Sequence, residues 1–244
     1  MAIKDAKRNS EARKTPKTGT DSCELGPSTP PLENGDRLTR DEFERRYDAM
    51  PDLKKAELIK GVVYMGSPVR FGKHGEPHAR LLTWLGTYVA FTQGVGLGDN
   101  ATVRLASDTE PQPDALLRVE AEDRANSRIS ADDYVEGAPE LVAEIFSSTA
   151  SYDLHDKMDA YRRAGVKEYL VWRVEDREFD WFILRNGEYV RIVPDADGIC
   201  DSRNFPGLRL TVTALLVGDM ARVMGELQKG LDAAEHTAFV ASLR

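Results

Sequence analysis

Pro139-Glu140-Leu141-Val142-Ala143-Glu144-Ile145-Phe146-Ser147-Ser148-Thr149-Ala150-Ser151 reads as a buried strand running into helix-capping residues. Residues 141–146 are apolar except for Glu144, as expected of a strand covered on both faces. The serines and threonine that follow favour a helix N-terminus. Leu154, Met158 and Tyr161 then recur at helical spacing up to a stop at Gly165. Residues 168–174 read as a second strand. Strand, helix and strand in this order predict a parallel pair joined by a right-handed crossover. An ionised carboxylate buried at Glu144 needs a counter-charge, hydrogen bonds or a bound cation.

Downstream, residues 179–184 and 189–193 alternate as strands, and Asn186-Gly187 between them is a strong hairpin turn. Residues 208–210 add a short strand, and 219–243 a final helix. Upstream, Thr39 and Glu42 have capping-box spacing ahead of Phe43 and Tyr47. Residues 56–65 read as a hairpin or a bent strand around Gly61, and 78–91 as a helix with Pro77 in its first turn. Residues 101–105 and 114–119 read as strands, and 124–137 as a polar loop. The fold class is α/β or α+β, a central mixed sheet flanked by helices with a C-terminal helix. No Gly-rich phosphate loop follows any strand, which excludes a dinucleotide-binding fold.

The boundaries are a tail over 1–36, a domain over 37–218 and a helix over 219–244. The tail is polar and Pro-rich, and composition predicts disorder there. Its basic first twenty residues suit either a nucleic-acid-contacting arm or, more simply, a solvated tail. It lacks the apolar core of a signal peptide, and no apolar run approaches a membrane span. A cytoplasmic protein is expected. Cys23 and Cys200 read as free thiols. Hydrophobic residues make up 41% of the 244, enough for a sizeable core. The net charge of −8 counts against a nonspecific DNA-coating protein but is compatible with an acidic metal site.

Acids stand where such a site needs them. Asp114 opens one apolar run, Glu57 another, and Lys157 lies on the helix after Glu144. Carboxylates and one lysine at neighbouring strand ends suit a divalent-metal site for phosphodiester hydrolysis, with Mg2+ or Mn2+ as cofactor. Asp114 and Glu144 are the expected metal ligands. Glu57 is a further ligand or fixes a metal-bound water. Lys157 orients or helps deprotonate the attacking water, or holds charge in the transition state. The structural alternatives are an ion pair at Glu144, a strand-entry cap at Asp114, a solvated Glu57 and a surface Lys157–Asp153 bridge. His78 lines the site or caps its helix. His74 and His78 are four apart, but Gly75 and Pro77 argue against a zinc helix. The serines at 147–151 lack a nucleophile elbow and read as caps.

The motif order also carries a resemblance. Residues 57–68 are followed by His78, by Gln112-Pro113-Asp114, by residues 137–144 and by Ser147-Ser148-Thr149. Asp153-Leu154-His155-Asp156-Lys157 and residues 161–169 complete the series. Over about residues 38–215 this resembles the Uma-two family of restriction-endonuclease-like proteins, within the PD-(D/E)XK nuclease superfamily. The resemblance implies a mixed sheet with a Mg2+ site at one end. Phe146 stands where the superfamily pattern has lysine, and Lys157 on the next helix replaces it. Ser148 stands where proline is expected, which alters the local turn more than the chemistry. The implied function is a Mg-dependent endonuclease hydrolysing phosphodiester bonds in DNA. The alternative is a nuclease-fold protein that binds nucleic acid or a protein partner without cleaving. Met220, Met224, Leu227, Leu231, Ala234 and Ala238 form a stripe that either packs on its own domain or makes a homodimer.

Overall fold

The structure, a computed structural model, describes residues 29–66, 68–121, 123–147 and 153–243. The basic first twenty residues and Cys23 lie outside them. Helix α1 (Arg40–Asp48) precedes a hairpin of β1 (Ala56–Ile59) and β2 (Val62–Met65). Lys60 and Gly61 make its tight turn, both at positive φ. A π-helical turn, Phe71–Gly75, runs directly into α2 (Glu76–Ala90). Next come β3 (Val95–Asp99), β4 (Val103–Arg104), β5 (Ala115–Val119), β6 (Ser127–Ile129), β7 (Val135–Gly137) and β8 (Leu141–Phe146). The chain continues through α3 (Asp153–Ala164), β9 (Glu168–Arg173), β10 (Glu178–Arg185) and β11 (Glu188–Arg191). It ends with β12 (Ile199–Asp201), β13 (Arg209–Thr211), α4 (Val212–Val217), α5 (Met220–Leu231) and α6 (Ala234–Ser242).

The central sheet has the order β11-β10-β9-β8-β5-β3, and only β8 and β9 in it are parallel. That pair is the one joined through α3, as the opening stretch predicts. Alternation along β8 divides the core into two layers. Leu141, Ala143 and Ile145 face a large cluster with Trp84 and Leu85 of α2 and Val223 and Leu227 of α5. Val142 and Phe146 face the opposite layer, beside Tyr161 of α3. Glu144 shares their parity and so points to the α3 side.

Several expectations change. Thr39 precedes α1 but makes no side-chain cap bond, and Glu42 binds Arg45 and Arg46. Leu32 packs with Phe43, Leu58 and Val63, so the ordered body begins earlier than residue 37. The segment 124–137 is not only a loop: β6 and β7 pair there, and β7 also pairs with β4. β3 and β12 were absent from the sequence reading.

The final helix is two helices. In the first turn of the second, His236 turns inward and bonds the Leu231 carbonyl and the Thr92 hydroxyl. Leu227 and Leu231 are buried in the main core, with Met220 and Met224 packed against it. The methionine and leucine part of the stripe therefore packs on its own domain, while Ala234 and Ala238 are exposed. Gly230 is required by close approach, since a Cβ there would sit 2.1 Å from the Gly207 carbonyl oxygen. Cys200 is buried and free. Among the described residues, no helix is long and apolar enough to cross a membrane.

A buried acid outside the sheet gives a first prediction. Glu110 lies against Glu44 and Arg104, and its Oε2 has no hydrogen-bond partner among the described residues. Burial, then the neighbouring Glu44, pushes its pKa up to about 8 against the attraction of Arg104 and Arg40. A raised acid pKa means that the folded state holds the proton over a range where the unfolded state has lost it. Stability is then fully present below the unfolded value and is lost as pH rises towards the folded one. Glu110→Gln should therefore gain on the wild type between pH 5 and pH 8, read as a melting-temperature gap that widens with pH. A constant gap would show that Glu110 does not carry this linkage.

Candidate active site

Asp114 and Glu144 are brought together by strand register. β5 and β8 are antiparallel with Ala115 opposite Ala143, so the next step sets Asp114 opposite Glu144. Opposed residues of an antiparallel pair project from the same face. The ladder is continued by a side chain: Ile145 N–H donates to Asp114 Oδ2 at 2.8 Å. This fixes the carboxyl and leaves Oδ1 facing His74 Nε2 at 3.4 Å and Lys55 Nζ at 3.8 Å.

Helix α3 and the β1–β2 hairpin close the arrangement. Lys157 Nζ donates to Glu144 Oε1 at 3.0 Å and to Glu57 Oε1 at 2.8 Å. Glu57 Oε1 also accepts from Gln112 N–H at 2.7 Å, which ties β1 to the segment leading into Asp114. One helical turn beyond Lys157, the Tyr161 hydroxyl donates to Glu144 Oε1 at 2.7 Å. All four predicted residues are buried: Lys157 is 5% exposed, Glu144 and Asp114 3%, and Glu57 8%. They line one cleft of about 920 Å³. Lys157 thus bridges two buried carboxylates and is not a surface residue; the Asp153 side chain of the alternative bridge lies outside the described residues.

His78 also lines the cleft, one step removed. Its Nε2–H donates to the Asp114 backbone carbonyl at 2.8 Å and stands 3.3 Å from Asp99 Oδ1. It therefore positions the Asp114 backbone. Gly75 and Pro77 do not interrupt the chain as the sequence suggested, because the π-helical turn passes straight into α2 and the His74 and His78 rings stand 5.5 Å apart. Sequence reading missed Lys55 and the Tyr161 hydroxyl, and weighed His74 only as half of a zinc pair. Tyr161 had a usable signal, being four residues after Lys157 and hence on the same helix face.

Electrostatics here follow from crowding. Burial raises the Glu144 pKa, the Lys157 cation opposes this, and the Asp114 and Glu57 charges reinforce it. Burial pulls Lys157 down, but the Glu144 and Glu57 charges more than reverse that. Lys157 accordingly stays an ammonium. Burial works against ionisation of Asp114, yet the His74 hydrogen bond, with Lys55 and Lys157, holds its carboxyl below the usual range. His74 is raised in turn, first by its bond to Asp114.

Among the described residues, no group of three or more His, Cys, Asp and Glu side chains could alone enclose a metal ion. The donor set suits a different mode. Described donors bond Glu144 on Oε1 and Asp114 on Oδ2, so a metal ion would take the Glu144 Oε2 side of the cleft and share Asp114 Oδ1 with His74 and Lys55. Two hard oxygen donors fit a Mg2+ or Mn2+ that keeps several of its waters.

Comparisons with known proteins bear on the family and the fold. A family model described as a putative restriction endonuclease matches residues 40–213. Among solved structures, the chain is similar to a putative nuclease belonging to DUF820 from Anabaena variabilis ATCC 29413. The TM-score is 0.56 at 15% identity, covering 74% of this chain and 98% of that one. At that identity the likeness shows a shared fold. No curated protein matches the chain.

Proposed function

From the premise that this chain belongs to the Uma2 family, whose model spans residues 40–213, we propose that it is a metal-dependent endonuclease hydrolysing phosphodiester bonds in DNA. The observation that carries the reading is Lys157, held as a buried cation by Glu57 and Glu144 beside Asp114 in one open cleft. A structural ion pair needs no such opening.

Hydrolysis forms a bond from water oxygen to phosphorus and breaks the bond to the leaving sugar oxygen, which takes a proton. Negative charge grows on the phosphoryl oxygens in between. Asp114 and Glu144 would hold Mg2+ or Mn2+, which supplies charge neutralisation and a more acidic bound water. Lys157, fixed in its protonated state, suits stabilising negative charge or orienting the attacking water, and does not suit taking a proton from it. Glu57 and the Tyr161 hydroxyl anchor this arrangement, Glu57 through Lys157 and the Gln112 amide, Tyr161 through Glu144. A rigidly aimed donor of this kind contributes on the order of 100-fold or more in rate.

The second reading, nucleic-acid or protein binding without cleavage, is favoured by one observation: Lys157 already satisfies both Glu57 and Glu144. Metal titration separates the two. Clustered acids oppose each other's ionisation, and a bound cation relieves this. Mg2+ or Mn2+ should raise the melting temperature of the wild type and leave that of Glu144→Gln nearly unchanged. Plasmid and single-stranded DNA should then be cut with metal and left intact with EDTA. Equal metal stabilisation of both proteins, without cleavage, would leave the binding reading standing.

A further inference from the structure

Resting on the nuclease reading above, we propose that Phe71 is a stacking platform for an unpaired base, so that the cleft takes single-stranded or locally opened nucleic acid in preference to a closed duplex. Phe71 is 78% exposed, far more than a ring of that size in a folded body needs to be. It stands on the π-helical turn that enters α2, a form of helix that recurs at functional sites. Its neighbours Val69, Arg70, Lys73 and His74 line the mouth of the same cleft that holds Asp114, Glu144 and Lys157. The π-helical turn that carries the ring therefore flanks the proposed reaction site, although Phe71 itself is not part of the cleft's lining.

The surrounding charge suits a phosphate backbone. Lys55, Arg70 and Lys73 lie along the cleft in a protein whose net charge is −8. Lys73 is paired with Glu175, and both are about half exposed. Such a surface pair contributes little and can be given up to a phosphate. Cations beside an exposed aromatic ring are the two parts of a single-strand binding groove, one for the backbone and one for the bases. A closed duplex keeps its bases stacked on each other and offers phosphates outward, so the Phe71 ring would gain nothing from it. A strand with a free base covers the ring and adds one stacking contact beside the cleft.

The test measures binding separately from cleavage. A dye-labelled single-stranded DNA of about 16 nucleotides and the duplex of the same sequence are titrated with protein by fluorescence anisotropy. Titrations are run in EDTA and again in Ca2+, which takes similar oxygen ligands. The single strand should bind more tightly than the duplex. Phe71→Ala should weaken single-strand binding by roughly tenfold, the scale of one base–aromatic stack, without changing its salt dependence. Phe71→Trp should retain the affinity. Arg70→Ala and Lys73→Ala should instead flatten the salt dependence. A fluorescent adenine analogue in the strand should be quenched by the wild type and not by Phe71→Ala. Unchanged single-strand affinity in Phe71→Ala, or equal losses for strand and duplex, overturns the platform and leaves the nuclease reading intact. Absence of any DNA binding by the wild type overturns both. A lower molar mass of Phe71→Ala in light scattering overturns the platform too, by assigning the ring to a contact between copies of the chain.

Discussion

Lys157→Ala is expected to lose metal-dependent cleavage by at least about 100-fold and to lower stability by about 3–5 kcal/mol. Both losses have one origin. The ammonium is the shared donor to Glu57 Oε1 and Glu144 Oε1, and both acids are buried. Removing it leaves two carboxylates facing each other in a poorly solvated site. Protonation of Glu144, whose pKa burial already raises, can relieve that repulsion. The folded state of the variant then binds a proton that the unfolded state has lost. Its deficit should be small at pH 5 and grow as pH rises to 8. Metal binding should persist, because the lysine is no ligand and the ion supplies the missing positive charge. Mg2+ or Mn2+ should thus raise the melting temperature of Lys157→Ala at least as much as that of the wild type. Denaturant unfolding and a single-turnover cleavage assay measure the two effects separately. Wild-type turnover in Lys157→Ala would show that the lysine serves structure alone.

Glu168→Ala should give the largest loss of stability outside the active site. This acid at the start of β9 is fully buried, has no cationic partner among the described residues and is held by hydrogen bonds. It accepts from Trp181 Nε1 at 2.7 Å, from the Ser202 hydroxyl, from the backbone amides of Arg203 and Asn204, and from Asn204 Nδ2. Charge-assisted bonds of this kind are strong. Truncation leaves several buried donors without an acceptor, each at about 1–3 kcal/mol. The knot joins β9, β10 and the loop before β13, so the loss should appear as a melting point lower by about 10 °C and a changed Trp181 fluorescence. The active-site carboxylates lie elsewhere on the sheet, so metal-dependent stabilisation should survive. A melting point within a few degrees of wild type would show that solvent replaces the lost acceptor.

Local pattern carried much of this fold. The apolar run 141–146 and the helical spacing of Met158 and Tyr161 made β8, α3 and β9 legible, while the capping residues 148–151 lie outside the described residues. Asn186-Gly187 did the same for the hairpin of β10 and β11, because both residues adopt positive φ there. β3 was illegible because Gly96 and Gly98 erase its alternation. It exists because glycines let β5 approach: a Cβ on Gly98 would stand 3.0 Å from the Leu116 side chain. β6 and β7 hide in a polar segment for another reason. Their partners are distant or short, and buried Glu140 tethers the region by accepting from the Val119 and Asn126 amides. No local period records such a tether.

The candidate site divides along the same line. Strand parity by itself placed Glu144 in a buried run and set Asp114 at a strand end, and heptad-like spacing marked the stripe over 220–238. Those are properties of neighbours in sequence, which backbone geometry fixes. Whether the stripe met its own core or a second copy depended on where α5 docks, and it docks on α2. The contact of Glu57 with Lys157 spans 100 positions, and His74 reaches Asp114 from the start of another helix. Distances, burial and therefore ionisation arise only when such remote segments pack, because Coulomb energy and desolvation depend on separation in space and not along the chain. The sequence by itself determined which groups were available to react, and the tertiary structure decided which of them are charged, which are anchored and which face the open cleft.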